Sequence, residues 1–121
     1  MPAFALASLV LAQATLITVE AARPDQQIGY NELVADRPLE AIARIDANRA
    51  LAADDPAALL NRGTAALRLG RTQEALASYR AALASRTNYD LELDDGRWVN
   101  SRDAARLAIR LAQGGRSLAL K

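Results

Sequence analysis

The sequence predicts a mainly all-α fold, on three observations. Hydrophobic residues make up 51% of the 121 residues but aromatic residues only 4%, because alanine and leucine, the strongest helix formers, supply most of the apolar surface. Apolar residues recur at helical spacing in two stretches that begin with Pro38 and Pro56, and proline is favoured in the first turn of a helix. The chain also matches itself with a 34-residue period, and its length corresponds to one domain.

Two helical hairpins are predicted in the middle of the chain. Asp55 before Pro56 is an N-cap signal, Gly70 ends the helix that follows, and Thr72 caps the next one. A similar pair is expected upstream, so the predicted helices cover 28–35, 38–53, 56–69 and 73–86, followed by a last helix over 101–113. A shift by one period aligns pairs of identical residues: Gly29 with Gly63, Leu33 with Leu67, Arg37 with Arg71, Glu40 with Glu74 and Ala41 with Ala75.

Residues 56–89 resemble one tetratricopeptide repeat, and residues 22–55 resemble a weaker copy. In the weaker copy Asn48 replaces a small residue, and the proline that closes such repeats is absent at Thr87. The resemblance implies two stacked helical hairpins and a non-catalytic surface that binds a protein or peptide. The family's small and large packing positions are matched in the second repeat by Leu59, Gly63, Gly70, Ala75, Tyr79 and Ala82, and in the first by Gly29, Ala41 and Ile45.

A short β-hairpin over 89–99 and a capping helix over 101–113 are predicted to follow the repeats, so that the helical domain spans 25–113. A two-residue turn at Asp95-Gly96 would place Leu93 opposite Trp98, whereas a three-residue turn would align Leu91 with Val99. Trp98 is interpreted as a buried anchor against the last helix, or alternatively as a partly exposed hot spot for a partner.

The last helix is expected to close the open end of the stack. Its predicted apolar stripe is Leu107, Ala108 and Leu111, and the Gly114-Gly115 pair is expected to end it. Residues 114–121 are accordingly predicted to be a flexible tail.

The N-terminus predicts export. Residues 2–19 carry no charge, and the apolar run ends in Ala12-Gln13-Ala14, which has the small-x-small pattern of a signal-peptidase site. A signal peptide over 1–14, cleaved after Ala14, would make the protein periplasmic or secreted. It would be followed by an extended leader over 15–24, with a short strand over 15–19 as the alternative. The alternatives are an uncleaved membrane anchor over 2–19 and a first helix packed on the domain. Arginine supplies the positive charge except at Lys121, a bias typical of GC-rich, bacterial coding.

Composition argues against several function classes. The net charge is +1, which does not favour nucleic-acid binding. The chain has no His and no Cys, so the usual zinc ligands, imidazole bases and thiol nucleophiles are missing. Asp54-Asp55 and Asp94-Asp95 are interpreted as cap and turn residues. No catalytic residue, metal site or cofactor is therefore predicted, and an enzyme is only a remote alternative.

The predicted partner-binding surface lies on the first helix of the second repeat, with a further contribution expected from arginines on the last helix. Arg102, Arg106 and Arg110 share one helix face, interpreted either as solvated or as binding a carboxylate. The two function hypotheses are a protein interaction module and a permanent structural subunit of an envelope complex. The candidate partner-binding residues are Ala57, Leu60, Asn61, Thr64, Leu67, Arg68, Arg102 and Arg106.

Overall fold

The computed structural model describes residues 17–20, 28–48 and 53–120, with side chains described as far as Gly114. This part of the chain is mainly helical and carries one small antiparallel sheet, so the predicted fold class is confirmed at that level. Its helices and strands are α1 (Tyr30–Val34), α2 (Pro38–Ala47), α3 (Pro56–Arg68), α4 (Thr72–Ala84), β1 (Asp90–Glu92), β2 (Trp98–Asn100) and α5 (Ser101–Leu120). The predicted signal peptide over 1–14 lies outside the described residues. No helix of the described ranges is both long and apolar enough to cross a membrane.

The starts of α2 and α3 follow the signals in the sequence, but the predicted cap at Thr72 is wrong. Arg71 is the N-cap residue of α4 and makes no side-chain capping hydrogen bond, and Thr72 is the first helical residue. Asp55 caps α3, because its Oδ2 accepts a hydrogen bond from Ala58 N at 2.9 Å while Pro56 occupies the first turn. Pro38 likewise opens α2. That helix ends at Ala47, earlier than the predicted end at position 53, because Asn48 has left the helical region with φ −102° and ψ 89°.

The turns after α1 and α3 have the same geometry at positions 34 residues apart. Arg37 N donates to Glu32 O at 2.8 Å, and Arg71 N donates to Ala66 O at 2.9 Å. The preceding residue is left-handed in both turns, Asp36 with φ 57° and Gly70 with φ 76°. Both arginines also form an ion pair of 3.7 Å with the glutamate three positions later, Arg37 with Glu40 and Arg71 with Glu74. The period seen in the sequence therefore recurs in backbone hydrogen bonds.

Each hairpin also has a glycine that faces a large side chain of its second helix. A Cβ atom built on Gly63 would lie 2.6 Å from Cδ1 of Tyr79 and closer still to Cε1. A Cβ atom on Gly29 would lie 3.0 Å from Cδ1 of Ile45 and 3.3 Å from Cβ of Ala41. Gly29 and Gly63 are separated by one period, as are Ile45 and Tyr79, so both pairs of helices approach closely at equivalent points.

Helix α5 packs on α4 through alanines. Ala104, Ala105, Ala108 and Ala112 are buried, whereas Leu107 is half-buried and Leu111 is exposed. The predicted stripe of Leu107, Ala108 and Leu111 is therefore correct at Ala108, partly correct at Leu107, which packs against the edge of the core, and wrong at Leu111. Short side chains at the buried positions let the two helices approach closely.

The predicted helix stop at Gly114-Gly115 is wrong, because α5 continues to Leu120. The predicted flexibility of residues 114–121 stays a prediction. Gly114 does not adopt the left-handed conformation of a C-terminal cap. Glycine inside a helix costs about 1 kcal/mol relative to alanine, which weakens a helix but does not end it.

The β-hairpin adopts the register of the predicted three-residue turn. Leu91 pairs with Val99 and Glu92 with Trp98, while Leu93 N donates to Arg97 O at 2.8 Å across a loop that has Gly96 at φ 86°. The alternative register with Leu93 opposite Trp98 is wrong. Trp98 is 67% exposed, so its interpretation as a buried anchor is also wrong, while Leu91 and Leu93 join the core.

The close approach at Gly63 yields a prediction about stability. Gly63→Ala should lower the free energy of unfolding by about 1–3 kcal/mol, because the new methyl group overlaps the Tyr79 ring. Gly114→Ala is the matched control, since it is also helical but has nothing within 4 Å of the added Cβ, and it should be neutral or stabilise by up to about 1 kcal/mol. Urea denaturation measures both variants, and equal effects would contradict the proposed packing.

Candidate functional site

An extended segment of the chain, Ile17–Glu20, lies against α3 and is held there by Asn61. Val19 N donates to Asn61 Oδ1 at 2.7 Å, and Asn61 Nδ2 donates to Val19 O at 2.9 Å. The same Nδ2 also donates to Ile28 O at 2.8 Å. Asn61 is fully buried, and its amide contacts the segment as the backbone of a neighbouring strand would.

Thr64, close to one helical turn after Asn61, holds the same segment at a second point. Its hydroxyl donates a short hydrogen bond to Ile17 O, a carbonyl that can only accept. The Tyr79 hydroxyl, 2.9 Å from Thr64 Oγ1, must therefore donate to Thr64. Burial raises the pKa of Tyr79 to about 12, because the phenolate would be poorly solvated inside the core. The resulting chain of hydrogen bonds runs from α4 through α3 to the N-terminal segment.

The other side of the segment pairs with β1. Glu20 N donates to Glu92 O, and Asp94 N donates to Thr18 O, both at 3.0 Å. Val19 forms an antiparallel bridge with Leu93, so β1 lies between this segment and β2. Ile17–Glu20 thus occupies a groove, with side chains of α3 on one side and the edge of β1 on the other. We call it the α3–β1 groove.

The predicted partner-binding residues on α3 fall into four different environments. Asn61 and Thr64 bind the chain's own segment, and Ala57 and Leu60 are buried in the core that this segment joins. Leu67 is half-buried. Arg68 Nη1 donates to Leu33 O at 2.6 Å, which ties α3 to α1, and its buried Nε has no hydrogen-bond partner.

The arginines of α5 lie elsewhere in the structure. Arg102 Nη2 donates to Ser85 O at 3.3 Å, and Arg106 forms a 3.0 Å ion pair with Asp103. Both contacts lie within the C-terminal part of the chain. The prediction that Arg102 and Arg106 bind a partner carboxylate receives no support from these contacts and stays a prediction.

The sequence predicts a short strand or an extended leader around Ile17 and Val19, but it does not predict their place in this site. The run Leu16-Ile17-Thr18-Val19 is rich in β-branched residues, which favour strands. Val19 contacts Asn61 and Leu93, which lie far along the chain, and no local pattern indicates such distant contacts.

Acidic side chains surround one end of the α3–β1 groove. Burial raises the pKa of Tyr30, and the negative charges of Glu20, Asp94 and Glu92 raise it further. Those three carboxylates are therefore close enough to Tyr30 to act on its hydroxyl. Negative charges at this end of the groove favour a positively charged neighbour.

The paired aspartates have structural partners. Asp55 caps α3 and accepts a 2.7 Å hydrogen bond from the Tyr89 hydroxyl, while Asp95 accepts one from Arg97 N at 3.0 Å in the hairpin loop. Among the described residues no three His, Cys, Asp or Glu are grouped so as to hold a metal ion.

Comparison with known proteins does not assign this chain to a family. Scans of family models, of curated proteins and of solved structures each found no match for this chain. Any functional conclusion therefore depends on the chain's own residues.

The Asn61 contacts predict a large effect on stability. Asn61→Ala should lower the free energy of unfolding by at least about 2 kcal/mol, because it leaves the buried Val19 N, Val19 O and Ile28 O without the amide. Gln73→Ala, at an exposed position of α4, should change it by less than about 0.5 kcal/mol. Urea denaturation is the measurement, and a stability of the Asn61 variant equal to that of the control would contradict the site geometry.

Tyr79 predicts a loss of stability at high pH. The folded protein keeps the Tyr79 proton up to a pKa of about 12, whereas the unfolded chain releases it near 10, so the unfolded state binds fewer protons in between. The free energy of unfolding should then fall as pH rises from about 10 to about 12. In Tyr79→Phe this fall should be shallower by about 1.4 kcal/mol per pH unit. The other two tyrosines are present in both proteins, so identical slopes in unfolding curves would refute the assignment.

Proposed function

We propose that this chain is a non-catalytic, tetratricopeptide-like protein interaction module of the bacterial cell envelope. The observation that carries the proposal is the extended backbone bound in the α3–β1 groove by Asn61 and Thr64. It supports the proposal because first-helix side chains of this chain already hold an extended segment, as a peptide-binding surface must. Binding of this kind needs no titratable catalytic group.

The tetratricopeptide-like arrangement is supported by contacts that recur at equivalent positions of the two repeats. Both turns have the same backbone hydrogen bond, and each hairpin has a glycine facing a large residue of its second helix. Helix α3 also packs on α2, and Arg62 of α3 forms a bidentate pair with Asp46 of α2 at 2.8 and 3.1 Å. Stacked helical repeats are stabilised by contacts of this nearest-neighbour type.

Trp98 is the best candidate for direct contact with a partner. It is the chain's single tryptophan, it lies on β2, and it is 67% exposed. Tryptophan is enriched among the residues that contribute most to protein interfaces. Its exposure favours the interpretation of Trp98 as a hot spot.

A permanent structural subunit of an envelope complex is the second candidate function. Val34 and Leu39, on either side of the turn between α1 and α2, are 64% and 58% exposed. Apolar side chains at this turn favour a face that another subunit covers permanently. The envelope location in both proposals comes from the apolar run before Ala14, with cleavage after that residue. An anchor over the full range 2–19 does not fit, because Ile17, Thr18 and Val19 are buried against α3 and β1.

Affinity capture from envelope extracts of the producing bacterium tests the proposal. Tagged full-length chain should retain a partner that Trp98→Ala loses by at least tenfold, whereas Leu39→Ala, which removes a similarly exposed apolar side chain elsewhere, should retain it. A partner that dissociates in salt supports the interaction module.

A stoichiometric, salt-resistant partner that is lost with Leu39→Ala and kept with Trp98→Ala would favour the permanent subunit instead. If wild type, Trp98→Ala and Leu39→Ala all retained the partner equally, neither Trp98 nor Leu39 would lie in its binding surface.

A further inference from the structure

We propose that Ile17–Glu20 is a replaceable internal occupant, and that the α3–β1 groove binds in its place an extended segment of a partner protein. The preferred segment has three apolar residues, at the positions of Ile17, Thr18 and Val19, and a basic residue at the position of Glu20. This inference deepens the proposed function and depends on it.

The groove holds its occupant through the main chain. Asn61, Thr64, Glu92 and Asp94 hydrogen-bond only with backbone atoms of the segment. Ile17 O, Thr18 O and Val19 O accept hydrogen bonds, and Val19 N and Glu20 N donate them. Every residue type except proline offers the same backbone groups, so these bonds are available to any extended segment. The identity of the occupant is then selected by the surroundings of its side chains.

Thr18 does not match its surroundings. It is 2% exposed, and its hydroxyl oxygen has no hydrogen-bond partner. Burying an unpaired hydroxyl is unfavourable, whereas valine has the same shape and no polar atom to satisfy. A partner segment with valine at this position should bind more tightly than the chain's own sequence.

Glu20 is a second mismatch, on electrostatic grounds. Its backbone N lies 3.0 Å from Glu92 O, so Glu20 and Glu92 lie opposite each other on adjacent strands, and Asp94 is bound through its backbone N to Thr18 O in the same pairing. Like charges on neighbouring strands repel, whereas a lysine at the same position would be attracted by Glu92 and Asp94. The local charge therefore favours a basic occupant.

These two mismatches distinguish a replaceable occupant from a purely structural strand. A segment that served only to complete the core would gain stability from valine at position 18 and from a basic residue at position 20. The actual sequence has neither residue. The groove is thus more complementary to another segment than to the one that fills it.

Peptide binding to the full-length chain tests the inference. Val19→Pro in the protein removes the N–H that donates to Asn61 Oδ1 and weakens the internal occupant. The probes are fluorescent peptides of residues 15–21, one with the native sequence and one with Thr18→Val and Glu20→Lys, measured by anisotropy. The modified peptide should bind the Val19→Pro protein about tenfold or more tightly than the native peptide.

Two controls define the binding mode. The modified peptide with proline at the position of Val19 should not bind, because it lacks the N–H that Asn61 accepts. The wild-type protein should bind the modified peptide at least about tenfold more weakly than the Val19→Pro protein, because the tethered segment competes at high effective concentration. Equal binding of native, modified and proline peptides would overturn the proposal.

A second variant keeps the test decisive if Val19→Pro does not fold. The full-length chain with Thr18→Val and Glu20→Lys should melt at a higher temperature than wild type and should retain at least fivefold less of any partner captured by wild type. Unchanged melting would overturn the inference. Higher stability with undiminished capture would also overturn it, while leaving the interaction module intact.

The remaining outcomes also decide the question. A Val19→Pro protein that stays unfolded with either peptide would show that the segment is an integral part of the core. A concentration-dependent dimer of the wild-type chain in light scattering would show that the groove serves a second copy. Either result would reject a heterologous partner segment.

Discussion

The hydrogen bonds between Asn61 and the backbone of Val19 and Ile28 are the contacts on which the rest of the structure depends. One buried amide satisfies three backbone groups that would otherwise lie in the core without a partner. Leaving such groups unpaired is costly in a low-dielectric interior, so the amide fixes where the N-terminal segment enters the fold. Ile17 and Val19 then reach the same apolar cluster as Leu91 and Leu93.

That attachment explains how such a short hairpin is stable here. Two short strands alone are marginal in water, and β1 and β2 have only three residues each. Ile17–Glu20 pairs with the free edge of β1, and α5 follows directly after β2 and packs on α4. Segments from the two ends of the described chain therefore complete one layer over the helical hairpins.

Close packing of small residues determines the geometry of the helices. Gly63 leaves space for the Tyr79 ring, and the Tyr79 hydroxyl in turn supports Thr64, which binds Ile17 O. The same ring therefore fills the space between α3 and α4 and completes the polar contacts of the groove. An increase in volume at Gly63 would be transmitted to the groove through Tyr79, because a packed interior has little room to relax.

The sequence by itself indicated the starts of α2 and α3 and the turn after α3, because these depend on residues within one turn of each other: Asp55 before Pro56, and a left-handed glycine before Arg71. The sequence also indicated the position of the β-hairpin, and of the two registers it allowed, the one that pairs Leu91 with Val99 is correct. It did not determine that Asn61 and Thr64 bind the chain's own segment, nor that alanines rather than leucines of α5 are buried. Those outcomes depend on contacts between residues far apart in sequence and on how closely two helices approach. Only the tertiary structure decides them.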